Sequence, residues 1–356
     1  MFCYDHSIMG GPFLEELNMF TLPLYKENFT KQRTLIAQSE HFEIHSFLYN
    51  SGVHAIEIKN AKGHLVVLPF MGQMIWDAQF LNTDLCMKNM FSEPKFAKTV
   101  VETYGCFAFH AGMIRMGCPS PQDDHVLHGE MPCATMDTAW LEIDNDSVVI
   151  KGSYEYVMGF GDHYLATPSV QLNKDASLFD INMVVKNLAS VNMPLQYMCH
   201  INATYVENAL MTQNIPDSAL MLRESVPAHV QPTSQWLAYN EGLKTSAPIS
   251  ILDQPEMHDP EVVYCMDDIA RYVDKAVFKM QIDADKHLQT EFDTHDFNCA
   301  TRWLLCNGDQ QVAAFALPAT CRPEGFLAAK EKGTLIYLQP NEERCFSVRT
   351  GICQSF

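Results

Sequence analysis

A chain of 356 residues, 47 % hydrophobic and 19 % charged, can bury a large core, which excludes intrinsic disorder and fits two domains or one large β or α/β domain. Its 24 Lys+Arg stand against 43 Asp+Glu, a formal charge of −19. Such an acidic balance excludes phosphate neutralisation on nucleic acid, or docking on an anionic membrane, as the main task.

The opening residues, MFCYDHSIMGGPFLEELNMF, have no basic n-region, and Asp5 and His6 interrupt the apolar run, so they do not read as a signal peptide. No segment is long and apolar enough for a transmembrane helix, and a cytoplasmic protein is expected. Residues 1–40 read as a lead-in segment, with one short helix over Gly11–Phe20 where Leu14, Leu17 and Phe20 recur at helical spacing. From Phe42 the pattern turns to strands. FEIHSFLYNSGVHAIEIKNAKGHLVVLPFMGQMIWDAQF alternates apolar and polar residues around turns at Asn50-Ser51-Gly52 and Ala61-Lys62-Gly63. The Gly- and Pro-rich stretch 107–132 reads as a long loop. Strands are predicted over 139–157, 169–189 and 194–206, with Phe179, Ile181, Met183 and Val185 on one face. Residues 255–276 read mostly as loop. Strands resume over 276–284, 288–294, 311–319, 334–340 and 345–353. Short strands at regular intervals, without a fixed-period repeat or a linker, predict one all-β domain over 41–356, with the lead-in packed against it.

The twelve cysteines are irregularly spaced and form no CxxC, so they read as reduced thiols packed as small hydrophobes. Phosphate-binding glycine motifs and GxSxG are absent, which argues against nucleotide cofactors and a serine nucleophile. Chemistry concentrates in FAFHAGMIRMGCPSPQDDHVLHGEMP (107–132), which carries His110, Arg115, Asp123, Asp124, His125, His128 and Glu130. His110, His125 and His128 leave a metal-dependent isomerase open as one reading. A second isolated histidine, His200, closes the apolar run LQYMCH; a histidine in such a strand is ordinarily a core residue.

Four segments in order resemble the galactose mutarotase, or aldose 1-epimerase, superfamily. They are VVLPFMGQMIWDAQF (66–80), AGMIRMGCP…HVLHGEMP (111–132), VVKNLASVNMPLQYMCHINATY (184–205) and VAAFALPATCRPEG…LIYLQPNEERCFSVRTGI (312–352). The resemblance covers most of the chain from about residue 40. It implies a large antiparallel β-supersandwich and cofactor-free acid–base interconversion of the anomers of a monosaccharide. By the same resemblance His200 is the catalytic acid, and His128, Arg115 and Asp259 bind the sugar. Trp76 could offer its face to the ring, and Arg322 could take an anionic sugar. The superfamily's general base is a glutamate on a late strand, and Pro318 stands there in this chain. Glu324 is the nearest carboxylate and is expected to replace it, with Glu130, Asp162, Asp259 and Glu261 as further candidates. The missing glutamate also motivates a non-catalytic carbohydrate-binding or sugar-sensing protein on the same scaffold.

Overall fold

Alternation of apolar and polar residues at period two gives each strand one face to bury, and two large antiparallel sheets result. In the computed structural model, which describes residues 19–224, 226 and 230–354, the strand Leu178–Asn187 buries Phe179, Ile181, Met183 and Val185 on a single face. The first sheet has nine strands, in the order Phe20–Leu24, Thr138–Ile143, Ser147–Val157, His163–Asn173, Leu178–Asn187, Glu343–Gln354, Lys286–Asp293, Lys275–Gln281 and Met211–Gln213. The second runs from Met221–Leu222 through Val262–Asp267, Cys299–Cys306, Gln311–Ala319, Met193–Ile201, Ala108–Met113 and Ile75–Phe80 to the meander that ends at Thr34–Gln38.

Aromatic pairs fill the space between the sheets. Phe80 of the second sheet stacks on Phe179 of the first at 5.7 Å, and Tyr197 packs on Phe346 at 4.9 Å. The meander from Glu43 to Phe80 follows the expected strands and turns closely. Three segments differ from expectation. Ala108–Met113 and Val262–Asp267 are strands inside stretches read as loop, and Cys299–Cys306 is a strand that was not predicted. All three are buried on nearly every residue, so their sequences lack the alternation that marks a half-exposed strand. The predicted helix Gly11–Phe20 lies outside the described residues except at its end, where Phe20 begins a strand. The described part of the lead-in contributes edge strands to both sheets, Phe20–Leu24 to the first and Thr34–Gln38 to the second. Among the described residues no helix is long and apolar enough to cross a membrane.

Candidate functional site

Strand parity decides where His200 points. In Met193–Ile201, Tyr197 packs inward against Phe297 and Phe346, while Met198 and His200 line a cavity of about 510 Å³ on the larger sheet. The neighbouring strand places Phe109 directly opposite His200, and the rings stack at 4.5 Å. His128 meets the His200 ring edge-on at 4.8 Å and Trp303 lies at 5.8 Å. The Tyr104 hydroxyl sits 3.4 Å from His200 Nε2 and donates to Asn202 Oδ1 at 3.4 Å. His128 reaches the wall because it and Gly129 both adopt positive φ, +62° and +79°. That left-handed pair turns the loop sharply and lets the His128 carbonyl accept from Gly112 N–H at 3.0 Å.

Across the sheet, Glu261 is the one deeply buried carboxylate among the cavity's described residues, 5 % exposed. Its carboxylate pairs with Arg223 and accepts from Trp303 Nε1–H at 2.7 Å. Its backbone carbonyl accepts from Trp236 Nε1–H at 2.9 Å, tying the helix Ser234–Leu243 to the wall. Trp303 therefore touches both the His200 ring and the Glu261 carboxylate.

Burial, reinforced by His128, holds His200 well below the usual histidine pKa, against an opposing hydrogen bond to Asn202. His200 therefore rests as a neutral imidazole near pH 7. Burial likewise holds the Tyr104 hydroxyl well above its usual range, so it stays protonated. His200 Nδ1 and Thr301 Oγ1, both buried at this wall, have no hydrogen-bond partner among the described residues. Buried polar groups are nearly always paired, so these two atoms are open to a water or a ligand.

Of the residues picked out from the sequence, the cavity collects His200, His128 and Glu261, with Asp259 exposed at its rim and accepting from Asn307 at 3.3 Å. The others go elsewhere. Arg115 lays its guanidinium on the Phe326 ring at 3.9 Å and faces Asp124 at 3.6 Å. Trp76 is a core residue, 9 % exposed. Arg322 is held by the Asp267 carboxylate at 2.9–3.0 Å, on a separate polar cavity. Glu324 lines that second cavity too, paired with Lys332, and is not part of the His200 wall. Glu130 is also spent structurally, accepting from the backbone N–H groups of Met113 and Ile114 and from the Tyr164 hydroxyl.

The three histidines of the metal reading do not converge. His110 points into the core against the Tyr197 hydroxyl at 2.8 Å, where burial lowers its pKa to about 3, and His125 Nδ1 meets the Val126 carbonyl. The strand Gln311–Ala319 presents Leu317, not Pro318, to the cavity. Sequence reasoning did not single out Tyr104, Trp303, Thr301 or Arg223. The pattern Thr301-Arg302-Trp303 was the available signal: a strand there must bury an arginine on one face and offer Thr301 and Trp303 on the other.

The two-sheet β-sandwich is similar in fold to solved structures described as galactose mutarotase-like proteins and aldose 1-epimerases. The chain belongs to the family described as a domain of unknown function, DUF4432, whose model matches residues 50–352. Among solved structures, a candidate aldose 1-epimerase from Klebsiella pneumoniae superposes with a TM-score of 0.78 at 14 % identity, over 94 % of this chain and 91 % of that one. A galactose mutarotase-like protein from Clostridium acetobutylicum superposes with a TM-score of 0.60 at 14 % identity, over 89 % and 100 % of the two chains. A candidate aldose 1-epimerase from Escherichia coli K12 does so with a TM-score of 0.54 at 15 % identity, over 83 % and 97 %. No curated protein matches the sequence. At such identities the likeness is one of fold, and chemistry has to be argued from the cavity's own side chains.

Proposed function

We propose that the protein is an aldose 1-epimerase-like isomerase that interconverts the anomers of a monosaccharide, with His200 as the proton-transfer group. The observation that carries this reading is His200 itself: a neutral imidazole whose Nδ1 has no partner among the described residues, set in the wall of a cavity large enough to admit a monosaccharide. A neutral imidazole is suited first to accept a proton. It takes the proton of the anomeric hydroxyl, the C1–O1 bond becomes a carbonyl, and the bond between C1 and the ring oxygen breaks with its electron pair on that oxygen. The imidazolium then returns the proton to the ring oxygen. Rotation about C1–C2 and the reverse steps close the ring on the opposite face. A positioned group of this kind is worth about 10²–10⁴-fold in rate. His128 and the protonated Tyr104 hydroxyl supply further polar edges beside it. Glu261 replaces Glu324 as the carboxylate of the site, in a binding and orienting role, since Arg223 and Trp303 already engage its oxygens.

Anomer exchange followed by NMR over a panel of aldoses tests the reading. His200→Asn is expected to lower the exchange rate at least about 10²-fold with the fold intact; a rate unchanged by that substitution would sink the mechanism. A second reading has its own observation. The late strand offers Leu317 to the cavity in place of a carboxylate, which suits a sugar-binding protein without catalysis. Calorimetric binding with no exchange above the uncatalysed rate would establish that reading instead.

A further inference from the structure

The floor of the cavity comes from four adjacent strands, and its chemistry is uneven. Val263 stands opposite Trp303, Thr301 stands opposite Leu317, and Met198 and His200 project from the next strand over. The hydrogen-bonding capacity of this floor is mostly committed. The Trp303 N–H is taken by Glu261, Glu261 by Arg223 and Trp303, and the Tyr104 hydroxyl is shared between His200 and Asn202. Among the floor's described side chains, unmet capacity remains at His200 Nδ1 and Thr301 Oγ1. Between and around them lie the aliphatic side chains of Leu317, Met198 and Val263. Further polar groups lie at the rim, where Asp259, Gln231 and Gln310 are partly or fully exposed.

A sugar hydroxyl is both donor and acceptor, and pressing one against an aliphatic side chain strips its water without replacement. A C–H or methyl group at the same place gains from burial. Resting on the reading of this cavity as the sugar site with His200 at the anomeric centre, we propose that it selects a deoxy sugar, one lacking the hydroxyl at C2, which is bonded to the anomeric carbon, or at C6, the exocyclic carbon on C5 across the ring oxygen from it. The anomeric oxygens meet His200 and Thr301, the deoxy carbon lies on Leu317, Met198 and Val263, and the remaining hydroxyls reach the polar rim.

The test is calorimetric binding of matched sets: D-glucose and D-galactose, each against its 2-deoxy and 6-deoxy forms, with anomer exchange measured by NMR on the same samples. A deoxy member is expected to bind at least tenfold more tightly than its parent, about 1.4 kcal/mol. Parents that bind as tightly as every deoxy form, or the absence of measurable binding by any of the sugars, would overturn the proposal. Deoxy preference without exchange keeps the proposal and removes the isomerase reading; exchange of the parents without deoxy preference does the reverse. Val263→Thr, nearly isosteric, and Leu317→Gln each place a hydrogen-bonding group on the floor and are expected to shrink the preference. A preference left intact in both variants, with native circular dichroism, overturns the assignment to these side chains.

Discussion

At the scale of single residues, burial keeps several imidazoles neutral, His200 at the cavity wall among them. Burial lowers His110 in the core to about 3 and His258, outside the cavity beside the Tyr205 hydroxyl, to about 4, and lowers His200 well below the usual value. The sign of the consequence follows from linkage. Each folded pKa lies below its unfolded value of about 6.5, so below that pH the unfolded chain binds protons the folded chain refuses. Stability is therefore full above about pH 6.5 and declines as the pH falls toward the folded values, by up to about 1.4 kcal/mol per pH unit per histidine. Urea unfolding at a series of pH values is expected to show this decline, and His110→Phe should flatten it. Activity should follow the same logic: the exchange rate holds from neutrality to well below pH 6.5 before its acid limb appears. Glu261→Gln removes the carboxylate of a buried ion pair whose side chains are 10 % and 7 % exposed. It should cost about 3 kcal/mol in urea unfolding, because a buried guanidinium loses its charged partner.

At the scale of elements, a loop and its glycine set the position of His128. A Cβ on Gly129 would lie 1.8 Å from the Arg115 carbonyl oxygen, and its φ of +79° strains any other residue. Gly129→Ala is expected to lower the thermal midpoint and the exchange rate together, since the loop must shift and carry His128 with it. The Arg115 side chain, read from sequence as a sugar ligand, instead fastens this loop to the helix Phe326–Glu331 through the Phe326 ring. Arg115→Met should leave sugar affinity unchanged in calorimetry while costing about 0.5–1 kcal/mol of stability. The strands with one exposed face, such as Ser147–Val157 and Leu178–Asn187, could be read from period-two alternation. Two of the four that build the cavity floor could not. Cys299–Cys306 and Val262–Asp267 are covered on both faces, so apolar residues run continuously and the periodic signal vanishes.

At the scale of the whole molecule, the final strand ties distant parts of the chain together. Glu343–Gln354 lies between Leu178–Asn187 and Lys286–Asp293, and the larger sheet sets Ala108–Met113 beside Met193–Ile201. No cut in the sequence separates two sets of strands. The single domain expected over 41–356 should accordingly unfold in one transition, with tryptophan fluorescence and far-UV circular dichroism coincident in a urea titration. Two separated transitions would show independent units. The cavity belongs to this scale as well, because its walls come from segments around Tyr104, His128, His200, Glu261 and Trp303.

By itself the sequence determined the all-β architecture, the meander from Glu43 to Phe80, and the presence of His128 and His200 at strand and loop positions resembling one superfamily. Those properties are local: alternation, turn residues and short motifs are written in neighbouring positions. Only the tertiary structure decided that His200 rests neutral, that Glu261 rather than Glu324 shares its cavity, and that Arg115, Arg322 and Trp76 are committed elsewhere. The physical reason is that charge and hydrogen-bonding capacity are consumed by partners the fold supplies. Glu324 finds Lys332, Arg322 finds Asp267, and the Glu261 carboxylate finds an indole 42 residues away.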